Sequence, residues 1–248
     1  MTSALRMGWL AADWPAPPHV QAGVTLRNHG PSRPPYDKFN LALHVGDEVA
    51  SVLGNRALLR TELALPGEPV WLEQVHSTVV VEADSCNGTP IADAAYSHQV
   101  GTVCVVMTAD CLPVLLTNRQ GSTVAAAHAG WRGLAAGILE STLSEAGLVP
   151  AETLAWLGPA IGPAVYEVGE EVKAAFLQQA MHDESAFTSH GPGKVLLDMY
   201  TLARQRLNAV GVTAIYGGGF CTYRQQEQFY SYRRDGVTGR MASLIWRT

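Results

Sequence analysis

The chain has no apolar stretch approaching the ~20 residues of a membrane-spanning helix, so no span is expected. Basic runs are equally scarce: the longest is Arg233-Arg234, and Asp235 follows at once. Lys and Arg total 17 against 22 Asp and Glu, giving a formal net charge of −5. The basic patch with which nucleic-acid binders neutralise phosphates is therefore not expected. Only four cysteines occur, Cys86, Cys104, Cys111 and Cys221. Scattered through 248 residues, they argue against a disulfide-held scaffold. Cys104 sits inside Thr102-Val103-Cys104-Val105-Val106 and reads as a buried core thiol. Residues 1–18 lack a basic stretch leading into a clean apolar one, so no secretory leader is expected and the reading is cytoplasmic. Repeats, low-complexity tracts and long polar linkers are absent. So are G-x-G-x-x-G and the phosphate-loop lysine, which leaves nucleotide binding of those two kinds unsupported.

Hydrophobic residues make up 47% of the chain and charged residues 16%, enough to bury a core. The reading is a single catalytic domain over 1–248, with 1–18 irregular. Runs rich in Val, Leu and Ala bounded by turn residues predict strands at 71–75, 78–82, 101–107, 114–117, 122–127, 212–216, 230–232 and 241–246. Helices are expected at 47–65 with Asp47 as N-cap, and at 134–146 with Gly147 beyond its end. Two more are expected at 170–180 and at 196–210 before Gly211. Short strands interleaved with helices give an α+β class with mixed sheets.

Three segments place a reactive side chain where a strand should end: Glu73-Gln74-Val75-His76, Thr108-Ala109-Asp110-Cys111-Leu112-Pro113, and Ala127-His128-Ala129-Gly130-Trp131-Arg132-Gly133. Cys with two His is a set that Zn²⁺ accepts, and three protein ligands leave a fourth position open. Two other readings stand beside it on the residues alone. Each histidine could be an ordinary hydrogen-bonded residue, or Cys111 and His128 could form a metal-free nucleophile pair. Asp110, next to Cys111, is a candidate proton acceptor or ligand-orienting partner. Arg132 and Arg233 are candidate anion contacts. His44 is a fourth histidine near the candidate site, with a structural role the leading reading. Trp131 is a candidate pocket wall.

These strings resemble the laccase-domain family, whose members go by the names multicopper polyphenol oxidase and purine nucleoside phosphorylase. Further blocks agree: Phe39-Asn40-Leu41, Leu43-His44-Val45-Gly46-Asp47, Leu157-Gly158-Pro159-Ala160-Ile161-Gly162-Pro163, Phe229-Tyr230-Ser231-Tyr232-Arg233-Arg234-Asp235 and Gly239-Arg240-Met241-Ala242. The resemblance runs from about residue 23 to 246. It implies zinc, with copper as the alternative ion, held by His76, Cys111 and His128. Catalysis would then fall to Cys111, His128 and Asp110, and substrate binding to Asn40, Arg132, Cys221 and Arg233. The implied activity is phosphorolysis of adenosine, inosine and S-methyl-5′-thioadenosine, with adenosine deamination. The partners are then purine nucleosides and phosphate, with neither nucleic acid nor membrane, in a monomer or homodimer. The implied fold is a layered αββα arrangement similar to the cytotoxic-necrotising-factor catalytic domain. One branch of the family suggests instead an amidase that edits peptidoglycan precursors through Cys111 and His128 or a metal-activated water. The third reading, copper oxidation of phenols, needs His-x-His pairs, and none of the eight histidines is so spaced. The chain departs from the family pattern at Ala164-Val165, at Ser77 and across 27–37, and none of these touches the three ligands.

Overall fold

The computed structural model describes residues 8–178 and 184–248. Thirteen strands and six α-helices are described: β1 Trp9–Ala11, β2 Val20–Thr25, α1 Val49–Glu62, β3 Val80–Glu82, β4 Ala94–Ser97, β5 Val103–Thr108, β6 Leu112–Asn118, β7 Val124–Ala129, α2 Trp131–Ala136, α3 Ile138–Glu145, β8 Thr153–Leu157, β9 Glu167–Gly169, α4 Glu170–Leu177, β10 Phe187–Ser189, β11 Lys194–Leu197, α5 Met199–Ala209, β12 Ala214–Gly217, α6 Tyr232–Asp235 and β13 Met241–Arg247. A mixed six-stranded sheet runs β12-β8-β6-β7-β4-β3, an antiparallel four-stranded sheet runs β1-β2-β13-β5, and a small sheet runs β10-β11-β9. This is the mixed α+β class expected.

Strand periodicity divides the core. Successive side chains point to opposite faces of a strand. In β5, Cys104 and Val106 face one cluster while Val103, Val105 and Met107 face another. In β6, Leu115 joins the first cluster and Leu112, Val114 and Leu116 join a third. The shared cluster lies between the two large sheets, where Leu115, Val106, Ala126, Trp156 and Ile245 meet. Helices α2, α3 and α5 bring Leu134, Ile138, Leu143 and Leu202 against the outer face of the six-stranded sheet. Leu59 of α1 packs with Val105 and Leu244 against the outer face of the other. Strands covered on both sides carry unbroken apolar runs, and β5 and β7 are buried at every position.

Several elements differ from the sequence reading. Segment 71–75 is held only by single bridges, Val70 to Cys104 and Glu73 to Ile91, and is not a strand. Of residues 1–18, expected to be irregular, 1–7 lie outside the described residues, and the rest include β1, which pairs with β2 with Trp9 opposite Thr25. The helix expected at 134–146 begins earlier and is interrupted at Gly137, whose φ of 104° suits glycine alone. Asp47 does not cap α1: its carboxylate accepts from Ser32, Asn40 and the Glu48 N–H. Helix α5 starts only after β11, where Asp198 accepts from the Thr201 N–H as a true N-cap. At 230–232 the chain enters α6, capped by Ser231, rather than a strand. Helix α4 ends at Leu177, and Ala180, at the end of the expected helix, lies outside the described residues.

The topology positions the site. β6 and β7 are antiparallel with Pro113 opposite His128, so Cys111 and His128 emerge at one end of the six-stranded sheet. β13 lies between β2 and β5 with Met241 opposite Thr108. That register sets Arg240 beside the turn that carries Cys111.

Leu115 is fully buried between the sheets. Leu115→Ala should lower unfolding free energy by about 3 kcal/mol in urea titration; a loss under about 1 kcal/mol would contradict this packing.

Candidate functional site

His76 lies in the loop after the Glu73 bridge and adopts φ 62°. This conformation is costly for a non-glycine residue, and a buried carboxylate holds it. Asp93, fully buried just before β4, accepts from the His76 N–H at 3.0 Å through Oδ1. Its Oδ2 accepts from the Ser77 N–H at 2.6 Å and the Ser77 hydroxyl at 2.7 Å. Oδ1 also lies 2.8 Å from His128 Nδ1. With Nδ1 engaged, His128 directs Nε2 towards the cavity, the arrangement in which a carboxylate orients a metal-binding imidazole. Burial works to raise the Asp93 pKa, but hydrogen bonds from His128 and Ser77 and the His128 charge pull it down to about 2.

Cys111 follows Asp110, whose φ is 93°. Cys111 Sγ lies 3.8 Å from His76 Nε2, and the His76 and His128 rings meet edge to face with centroids 4.8 Å apart. One ligand atom from each of His76, Cys111 and His128 lies within 4.8 Å of the others. Tetrahedral zinc with ordinary Zn–N and Zn–S bonds would need separations of about 3.3–3.6 Å. The donor set fits a metal after slight closure, and the group could bind one. Burial opposes ionisation of Cys111, yet the charge of His128 and hydrogen bonds from both imidazoles outweigh it and lower the thiol pKa. Burial also disfavours the His128 cation, but the Cys111 thiolate and Asp93 raise its pKa. Gly130 makes room for the cluster: a Cβ there would come within 2.6 Å of His76 Cδ2 and 3.1 Å of Cys111 Sγ.

His76, Cys111 and His128 line one wall of a cavity of about 380 Å³, together with His44, Gln74, Met107, Tyr232 and Arg240. Gln74 is fixed by a two-way bond with the Met107 backbone, at 2.8 and 2.7 Å. A neighbouring hollow of about 480 Å³ shares His44, Gln74 and Met107 and continues over Trp71 and Leu72.

The other expected site residues are placed differently. Asp110 has both carboxylate oxygens taken, by the Thr222 hydroxyl at 2.6 Å and the Arg233 N–H at 2.7 Å. It ties α6 to the sheet, and the orienting carboxylate is Asp93, which sequence reasoning missed. Asn40 is fully buried; its Oδ1 accepts from Ala42 and Arg240 N–H groups, so it holds the backbone beneath the cavity. Arg132 is exposed and lies over its neighbour Trp131, outside the cavity lining. Trp131 itself packs against the helix-side core and does not line the cavity. Arg233 reaches the Glu167 carbonyl and the Tyr166 ring, again away from that lining. Cys221 Sγ accepts from the Gly162 N–H at 3.3 Å. The cavity's guanidinium is Arg240, and its other histidine is His44.

A family model described as multi-copper polyphenol oxidoreductase laccase matches residues 21–248. The chain is 54% identical over 241 residues to purine nucleoside phosphorylase YfiH of Escherichia coli, and 52% identical over 239 residues to purine nucleoside phosphorylase PA4543 of Pseudomonas aeruginosa. Each match covers 96% of this chain and 98% of the relative. Among solved structures, Neisseria meningitidis protein NMB0706 superposes with a TM-score of 0.93 at 48% identity, covering 97% of this chain and 99% of that one. YlmD from Geobacillus stearothermophilus superposes with a TM-score of 0.90 at 32% identity, covering 99% and 97%.

Asp93→Asn should cost about 3 kcal/mol of metal-free stability and weaken zinc binding by about 10–100-fold, read by denaturation and competitive chelation. Because the folded pKa lies below the unfolded value of about 3.9, the Asp93 contribution is complete above about pH 4 and is lost as pH falls towards 2. The stability gap between wild type and Asp93→Asn should therefore narrow over that window; a constant gap would refute the assignment. Gly130→Ala should lower zinc affinity at least about tenfold with a fold intact by circular dichroism.

Proposed function

Because the chain belongs to the multi-copper polyphenol oxidoreductase laccase family, and because relatives of that family carry the name purine nucleoside phosphorylase, we propose that it is a zinc-dependent purine nucleoside phosphorylase. Its substrates in this reading are adenosine, inosine and S-methyl-5′-thioadenosine, with adenosine deamination as a second reaction. The observation that carries the proposal is the meeting of His76, Cys111 and His128 on the wall of a cavity open to small molecules. The hollow over Trp71 and Leu72 supplies room for substituents on the sugar or base.

In phosphorolysis a phosphate oxygen bonds to the sugar C1′ as the bond from C1′ to the purine nitrogen breaks. The electron pair leaves with the base, which takes up a proton. His76, Cys111 and His128 would hold the ion, which supplies a Lewis acid and an open coordination position when bound. Asp93 fixes the tautomer of His128. Tyr232, 60% exposed at the cavity, offers a ring face on which a purine can stack. Gln74 and Met107 form part of the same wall. The copper-oxidase reading finds little in these residues: among the described ones, a single cluster of three has ligand spacing. Copper in that cluster stays an alternative occupant.

One observation favours a second reading. Cys111, His128 and Asp93 stand in the order nucleophile, base and orienting carboxylate, with the thiol pKa lowered. In metal-free protein, Cys111 could attack an amide carbonyl while His128 gives its proton to the departing amine, and water would then release the acyl group from sulfur. A likeness to the cytotoxic-necrotising-factor catalytic domain, with αββα layering, belongs to this reading.

Zinc-loaded wild type should release adenine from adenosine and hypoxanthine from inosine only when phosphate is present, with one ribose 1-phosphate per base. Cys111→Ala should lower kcat/KM by about 10³-fold or more, and chelation followed by zinc should abolish and restore turnover. Neither base release nor inosine formation by zinc-loaded protein would defeat the proposal. Cleavage of a muramyl-amino-acid amide by the stripped protein would move the assignment to the second reading.

A further inference from the structure

Arginines on this chain mostly have an anion or a ring. Arg27 pairs with Asp37 and Asp235, Arg206 with Glu140, and Arg234 with Asp235. Arg56 reaches the Leu41 carbonyl and stacks on Trp71. Arg240 differs. It is the one Lys or Arg among the described residues lining the cavity of the three ligands, and it forms no ion pair. The chain nevertheless fixes it in place. Its N–H donates to Asn40 Oδ1 at 3.0 Å, and Nη1 donates to the Thr238 and Gly239 carbonyls, both at 3.0 Å. Those two bonds use both hydrogens of Nη1. The edge formed by Nε and Nη2 keeps three N–H donors with no acceptor among the described residues, and this is the edge that grips an oxyanion through two parallel bonds. His44, also on the cavity wall, has no hydrogen bond from its ring to any described residue.

We propose that the Nε–Nη2 edge of Arg240, with His44 beside it, is the anchor for the phosphate co-substrate. The inference rests on the phosphorolytic reading and adds the residue that holds the anion. Asn40 acts through Arg240 as a positioning residue, since its amide fixes the backbone from which the guanidinium extends. This gives a fully buried asparagine a role in substrate binding without any contact with substrate. Phosphate rather than a carboxylate is assigned because a cavity that must also hold a sugar needs its anion presented as a nucleophile beside the ligand cluster, and β13 sets Arg240 next to the Cys111 turn.

The test is calorimetric titration of inorganic phosphate into zinc-loaded full-length protein, with sodium acetate as a second titrant. Phosphate affinity should fall at least about tenfold in Arg240→Gln and by a smaller factor in Arg240→Lys, which keeps the charge but loses the fork. Arg119→Gln, which removes an exposed surface charge paired with Glu152, should bind as wild type does. In turnover assays the phosphate KM of Arg240→Gln should rise by the same factor while the nucleoside KM stays within about twofold. Unchanged phosphate affinity in Arg240→Gln overturns the inference, as does acetate binding equal to or tighter than phosphate. If Arg240→Gln melts early, Arg240→Lys carries the test, and unchanged affinity there overturns it. The two readings separate cleanly. Phosphate binding that depends on Arg240 without nucleoside turnover leaves the anchor standing and removes the phosphorylase. Phosphate-dependent turnover indifferent to Arg240 does the reverse.

Discussion

The buried carboxylate of Asp93 is the constraint on which the site depends. It accepts from the backbone of His76 and Ser77, from the Ser77 hydroxyl and from His128. Two of the three metal-ligating candidates are thereby fixed by one side chain, one through its backbone and one through its ring. A lone buried carboxylate would be costly, and here it is fully satisfied by donors. The unfavourable φ of His76 is held by the same bonds. Reciprocal support of this kind allows an ionised group at the bottom of a sheet to be tolerated and useful at once.

The grouping of His76, Cys111 and His128 was legible because each stands at the end of an apolar run beside turn residues, a pattern carried by local chemistry. The strands that deliver two of them, β6 and β7, were legible for the same reason. Asp93 was not, since Ile91-Ala92-Asp93-Ala94 offers no ligand pattern, and its partners lie 16, 17 and 35 residues away. Arg240 was hidden likewise, because its place comes from the pairing of β13 with β5, a contact across most of the chain. The arginines that sequence reasoning favoured, Arg132 beside His128 and Arg233 in the block 229–235, turn to Trp131, Tyr166 and a backbone carbonyl. Proximity along the chain was a poor guide to which cation faces the cavity.

The fold shows a parallel contrast. Central strands with every residue buried announced themselves by composition, whereas short edge elements such as β1, β9 and β10 did not. The break at Gly137 also escaped notice, because the apolar residues on either side of it keep helical spacing while the backbone does not. Segment 71–75 looked like a strand for the opposite reason. Its Trp71 and Leu72 side chains are buried while Val75 is exposed, and its backbone is spent on positioning Gln74 and His76 rather than on a ladder.

The place of β13 has a consequence for the order in which the pocket is assembled. The last strand of the chain is an interior member of its sheet, flanked by β2 and β5, and the residue just before it completes the cavity. Before β13 docks, the chain has His76, Cys111 and His128 but neither the filled sheet nor Arg240 beside the Cys111 turn. The cavity is therefore completed only when that sheet closes, and the pairing of β13 governs the pocket as much as the sheet.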